Sequence, residues 1–322
     1  MVDGRECVIR IVRDDGLGDL NPTFLVDQDR WRVPSDGLEG FGGVAYEVST
    51  QPYAQYDGSY LLSERVPERD RTIVAHAWFD PREARAEAER FFIPRRSYEV
   101  HVTYMGRTRY FVGRQYALDL STGNVWGRLE LTWTCLATDP MWLSEDEKRF
   151  DIAEAVGGFG FPFMSLAEPW ELEAQGEPEA AEGVEEEDGT IDYLIGGFVV
   201  GVLSDQIAMD NGGAVTAYPR FDISAAGDVV RPEITVTDAS GAVVCEVGLD
   251  LTLHDGDALT VDFSSRPTTV ELSGENVSHL VTSGSTLAAG IEVGEFSLGW
   301  SAESGDAALS VRPSIRERYL SV

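Results

Sequence analysis

The side chains in this sequence that could do chemistry are four histidines, three cysteines and 56 carboxylates. His76, His101, His254 and His279 are scattered singly, and none belongs to the His-Glu-x-x-His pattern that sets two ligands on one helix face. Cys7, Cys135 and Cys245 are odd in number, far apart and without a Cys-x-x-Cys pair, which reads as free buried thiols in a reducing compartment. No Gly-x-Ser-x-Gly nucleophile elbow occurs. Gly157-Gly158-Phe159-Gly160 is not followed by a lysine that could meet a phosphate. Asp255 and Asp257 flank Gly256, where aspartate serves a turn's own hydrogen bonds. The acids between Glu171 and Asp188 lack the Asp-x-Asp-x-Asp-Gly order of a calcium loop. A carboxylate pair for glycoside hydrolysis is defined by distance in space and leaves no linear motif, so that reading stays open without anything pointing to it. Asn276-Val277-Ser278 has the form of a glycosylation sequon, a triplet that also arises by chance. The residues predict no catalytic, cofactor or metal site.

Which elements would position these groups? One stretch reads as a helix, Asp80 to Pro94. Asp80 suits the N-cap, Pro81 the first helical position and Glu83 a capping box. Ala84, Ala88, Phe91 and Phe92 share one face, mixed charge covers the other, and Pro94 supplies the stop. A helix of this kind covers a sheet.

Elsewhere the first half reads as strand and turn. Strands are expected at Cys7–Val12, Val44–Thr50, Arg71–Phe79, Tyr98–Tyr104 and Arg107–Val112, with Trp31–Gly43 a loop and Gln51–Arg71 polar and turn-rich. The clearest alternation puts Val125, Gly127, Leu129, Leu131, Trp133 and Cys135 on one face. Trp126, Arg128 and Glu130 fall on the other. At strand rise this run spans about 37 Å. It is either a long internal strand or a ribbon that leaves its sheet for a neighbouring subunit, with Val125, Trp126, Arg128, Leu129, Leu131 and Trp133 as candidate interface residues.

Ser144 to Val156 reads as a short helix opening on the capping box Ser144–Glu147. Between Arg149 and Arg220 there is no basic residue, and Glu171–Asp188 holds nine acids among Gly, Pro and Ala, the composition of a self-repelling linker. Beyond it, strands are expected at Phe221–Ile223, Glu233–Thr237, Val243–Leu253, Leu259–Phe263, Thr269–Leu272, Ile291–Trp300 and Ala307–Val311. Asp255-Gly256 reads as a hairpin turn between two of them. This spacing predicts a jelly-roll sandwich. The chain divides into a β-sandwich domain with one helix (residues 1–143), an acidic linker or insert (144–206) and a second β domain (207–322).

Hydrophobic content of 43% and seven Trp are ample for two cores. No run of about 18 apolar residues occurs, and Met1–Glu6 lacks the basic-then-apolar order of a signal peptide. The net charge is −31, and among 25 basic residues Lys148 is the single lysine. So acidic a surface repels nucleic-acid backbone and anionic lipid. Acid excess with lysine almost absent fits adaptation to molar salt, while a GC-rich genome that favours Arg codons is the competing reading. At about 1 M salt the Debye length is about 3 Å, short enough to screen self-repulsion.

The order of features resembles the distal tail proteins of long-tailed, non-contractile phages. In the first half the resemblance rests on Tyr56-Asp57-Gly58, Arg71-Thr72-Ile73, Phe92-Ile93-Pro94, Thr134-Cys135-Leu136 and Asp139-Pro140. In the second it rests on Asn211-Gly212, Tyr218-Pro219-Arg220-Phe221, Ile234-Thr235-Val236, Leu251-Thr252-Leu253, Asp255 to Asp262 and Tyr319-Leu320. The acidic insert departs from a compact family member. The resemblance implies a non-enzymatic virion protein that closes as a homohexameric ring, and the acid excess with one lysine is that of haloarchaea and their viruses. Such a ring joins the tail tube to the tip, hub and receptor-binding proteins, with a galectin-like jelly roll as its second domain. It implies assembly at the tail tip after synthesis in the host cytoplasm, DNA passing the ring without specific binding, and no membrane insertion. The alternative is a carbohydrate-binding module or virion-associated glycosidase in which a tryptophan such as Trp300 stacks on sugar.

Overall fold

The computed structural model describes residues 7–24, 30–121, 127–150, 206–265, 267–288 and 290–322. In the first half these form β1 (Val8–Arg13), β2 (Asp19–Leu20), β3 (Trp31–Arg32), β4 (Leu38–Glu39), β5 (Glu47–Pro52), β6 (Ser59–Arg65), β7 (Arg69–Ala77), α1 (Pro81–Phe91), β8 (Ser97–Tyr104), β9 (Arg107–Ser121), β10 (Leu129–Ala137), β11 (Trp142–Ser144) and β12 (Lys148–Arg149). The second half holds β13 (Gln206–Asn211), β14 (Pro219–Ala225), β15 (Val229–Val230), β16 (Glu233–Asp238), β17 (Val243–Gly248), β18 (Thr252–Leu253), β19 (Ala258–Asp262), β20 (Thr269–Leu272), β21 (Glu275–Asn276), β22 (Gly294–Ser301), β23 (Leu309–Ile315) and β24 (Arg318–Tyr319).

The first core is a curled antiparallel sheet, ordered β2-β1-β8-β9-β10-β7-β3, with α1 laid across it. Strict alternation in β10 buries Leu129, Leu131, Trp133, Cys135 and Ala137. The helix covers that face with Ala84, Ala88 and Phe91. Phe92 stacks 5.2 Å from Trp133, and Tyr98 meets the same indole edge-on at 5.5 Å. The end of α1 is pinned from the sheet. Arg13, itself buried, donates to the carbonyls of Arg90 and Phe91 at 2.9 and 3.2 Å and pairs with Asp15 at 2.7 Å. A cation on the last helical carbonyls also opposes the negative end of the helix dipole. The Tyr98 hydroxyl accepts from the Ile93 amide at 2.7 Å.

The second core lies between two antiparallel sheets, β12-β23-β14-β19-β20-β21 and β13-β22-β16-β17. Phe221, Ile223, Leu259, Val261 and Val311 from one share a core with Ile207, Val236, Val247 and Leu298 from the other. The chain is thus mainly β with one α-helix among the described residues, as the sequence predicts.

Several local expectations are corrected. Asp80 caps nothing with its side chain: it sits in the left-handed region at φ 47°, and Glu83 reaches Arg30 at 3.3 Å in place of a capping box. Residues 31–43 are not all loop, since β3 and β4 both pair with β7. The longest strand is β9, at 15 residues, and β10 begins only at Leu129. Residues 144–150 are not helical. The Ser144 hydroxyl donates to the Asp146 carbonyl, β11 pairs with β9, and β12 joins β23 of the second domain. Residues 151–156 and the acidic run lie outside the described residues. The Asp255-Gly256 turn links β18, which pairs with β15, to β19, which pairs with β14 and β20, so it is not a hairpin.

The two domains are stitched by their ends. β24 at the C-terminus pairs with β11, and Tyr319 and Val322 pack against the first core. Arg318 is buried, grips both Asp139 oxygens at 2.5 and 2.7 Å, and donates to the Thr216 carbonyl at 2.9 Å.

Replacing Arg13 by Met should lower stability by about 1–3 kcal/mol in urea unfolding, because helix-end carbonyls lose buried donors. Arg10→Met, which removes only the exposed pair with Asp19, should stay within about 0.5 kcal/mol.

Candidate subunit interface

One element contributes to neither core. β5 and β6 pair only with each other, from Glu47↔Arg65 near the body of the domain to Pro52↔Ser59 at the tip. The tip closes with the Tyr53 amide donating to the Gly58 carbonyl at 3.1 Å, and Gly58 has φ +100°, a conformation that favours glycine. A bulge at Ser49/Thr50 twists the ribbon. Every residue of both strands is exposed. That includes Val48 and Leu61, each at 57%, and Leu62 at 55%, while Tyr56 at the tip stands at 78%. Tyr53 and Tyr60 lean on each other, 5.6 Å between ring centres. The foot is tied by Arg65 to Glu47 at 2.7 Å and by the Arg69 guanidinium to the carbonyls of Gly42 and Gly43.

A two-stranded ribbon is marginally stable alone in water, and its outer edges leave backbone groups unpaired. Exposed leucine, valine and tyrosine on such a ribbon mark an interaction site. The geometry is that of an arm that packs on neither core among the described residues.

The candidate interface residues read from the sequence are placed differently. Leu129, Leu131 and Trp133 face the core under α1, on a strand flanked by β7 and β9. Arg128 sits at the strand's start with its guanidinium 5.4 Å from the Trp78 ring. Val125 and Trp126 lie outside the described residues. The arm itself carried one signal, Tyr56-Asp57-Gly58 between Val44–Thr50 and the apolar Tyr60-Leu61-Leu62.

The groups that could have done chemistry are held in separate, local contacts. His76 faces Glu130 at 3.3 Å, and His101 lies between Glu99 and Glu145 while stacking on Tyr110 at 5.0 Å. His254 Nδ1 meets an Asp228 oxygen at 2.8 Å, and that carboxylate raises the imidazole pKa. Cys135 and Cys245 are buried, and burial pushes each thiol up to about 12. Among the described residues no group of three or more His, Cys, Asp or Glu is placed to hold a metal ion. Nor is any described helix long and apolar enough to cross a membrane.

No family model matches the chain, and no curated protein matches it. Solved structures do. The chain is similar to the Dit protein of phage SPP1, described as a paradigm of the hub adsorption apparatus in phages infecting Gram-positive hosts. The TM-score is 0.60 at 13% identity, over 97% of this chain and 100% of that one. It is also similar to a chain of the phage P2 baseplate in its activated conformation with calcium, at TM-score 0.54 and 10% identity, covering 98% and 99% of the two chains. The same baseplate with strontium gives 0.54 at 9% identity over the same shares. Both domains are inside the aligned span, so the chain has the fold of a phage distal tail protein over its length.

His254 supplies a local check. Because its folded pKa is raised, the contact favours the fold below about pH 6.5 and the preference is lost as pH climbs through the folded value. An NMR titration should place the His254 midpoint above that of an ordinary histidine, and Asp228→Asn should lower it.

Proposed function

We propose that this chain is a structural hub subunit of a phage-type tail tip, working by shape and self-association and performing no bond-making step. Six copies close into a ring that joins the tail tube to the tip and its receptor-binding parts, with the first domain forming the ring and the second projecting from it. The observation that carries this reading is the arm formed by β5 and β6, exposed on both faces, on a chain whose whole length follows the distal tail fold. Heterologous contacts of this kind, in which one surface meets a different surface on the next copy, generate rings where the rotation closes and filaments where it does not.

The surface charge supports two further parts of the reading. Around a central channel, carboxylates repel DNA phosphates and let the genome pass without sticking. At −31 the chain also repels its own copies in dilute buffer, so assembly belongs to high salt. No observation favours the sugar-binding alternative: Trp300 is half-buried against the second core.

Mass measurement in multimolar KCl is the deciding experiment. A species six times the mass of the 35.3 kDa chain is expected, and a strict monomer at every salt concentration would overturn the ring. Thermal melting should rise between low salt and multimolar KCl, reflecting screened repulsion; an unchanged midpoint would remove the salt adaptation while leaving the ring intact.

A further inference from the structure

Besides the arm, the first domain exposes a second aromatic patch. Trp78 and Phe79 follow β7 directly and are 49% and 63% exposed. Each is overlain by an arginine, Arg128 at 5.4 Å from the Trp78 ring centre and Arg32 at 5.6 Å from that of Phe79. The Nε atoms of both arginines are buried without a hydrogen-bond partner among the described residues. Arg128 makes one loose contact, with Glu130 at 3.9 Å, and that carboxylate also serves His76.

The arm carries the complementary groups. Its tip presents tyrosines, and of its acids only Glu47 is paired, with Arg65. Asp57 and Glu64 have no ion pair among the described residues. Tyrosine faces suit arginine and tryptophan. Free carboxylates suit arginines that have no close carboxylate partner among the described residues.

Position completes the match. The arm enters β7 at Arg69, and the patch begins just past its other end at Ala77. Nine residues of strand set them about 30 Å apart on one chain. In this chain the arm is not seated on the patch, since both remain exposed. Two unlike, mutually complementary surfaces at opposite ends of one strand are what a head-to-tail contact needs. We infer that the Trp78–Phe79 patch, with Arg32 and Arg128, is the socket for the β5–β6 arm of a second copy of this chain. This inference rests on the ring reading and names the surface through which the ring closes.

The test uses the full chain in multimolar KCl, in a Cys7→Ser background so that the remaining native thiols are the buried Cys135 and Cys245. Tyr56→Cys and Phe79→Cys are combined and treated with a short bismaleimide. A ladder of cross-linked chains extending to the ring is expected on a denaturing gel, with no ladder from either single variant. Assemblies of full ring mass that yield no ladder would overturn the socket while leaving the ring intact. Failure of the unaltered chain to assemble would overturn both. As a second measurement, Arg32→Glu with Arg128→Glu should raise the concentration needed for assembly at least tenfold. Adding Asp57→Arg and Glu64→Arg should recover it, and absence of recovery would count against direct contact between the two surfaces.

Discussion

The ring contacts among Phe92, Tyr98 and Trp133, with centres 5.2 to 5.7 Å apart, are the constraint from which the first domain follows. They fix α1 across β8 and β10, which commits the inward face of that sheet to a single-chain core. Because the helix covers β10, this strand's apolar row is satisfied within its own subunit. What is left for another molecule is whatever the helix does not reach. The arm before β7 and the aromatic pair after it are both in that category, so the helix position selects which surfaces remain sticky.

How much of this was legible in the sequence follows from where burial writes a period. Leu129, Leu131, Trp133 and Cys135 alternate because one face must leave water, and the strand could be read from them. The pattern records burial but not what does the burying, and so Leu129, Leu131 and Trp133 could be read toward a neighbouring subunit when α1 of the same chain covers them. β6 left no period because no described residue of its own chain buries either face. At Ser144 a local rule lost to tertiary pairing: the same Ser-x-x-Glu that starts helices elsewhere gave way to bridges from β11 and β12 to distant strands. The joint between Arg318 and Asp139 spans 179 residues and is specified only by the fold. In the second domain, where strands follow one another with turn signals between them, most boundaries fell within a few residues of expectation.

The stitching of the two domains has a mechanical consequence. The chain leaves the first domain through β11 and β12, the second of which already lies in the second domain's sheet, and returns through β24 to the first. Two strands crossing in opposite directions, clamped by the half-buried Arg318–Asp139 ion pair, resist hinge motion better than a single linker would. Held this way, the second domain passes load to the first through two strands and a side-chain clamp.

The distribution of charge ties stability to assembly. Among the described residues the buried charged side chains are Arg13, Arg71 and Arg318, and no carboxylate joins them. Arg71 is the extreme case: it lies 3.9 Å from the Phe111 ring and 4.3 Å from that of Trp142, it donates to the Pro140 carbonyl at 2.7 Å, and burial lowers its pKa to about 9. A planar, weakly hydrated guanidinium tolerates such sites, stacking on rings and forking to acceptors, where an ammonium would not. Arg13 and Arg318 each still hold a carboxylate, Asp15 and Asp139, whereas Arg71 spends its charge on rings and a carbonyl and neutralises no surface acid. Repulsion between carboxylates opposes contact between copies wherever salt does not screen it, and a contact that brings its own arginines offsets it. That argument fits the proposed socket, whose exposed rings lie under Arg32 and Arg128.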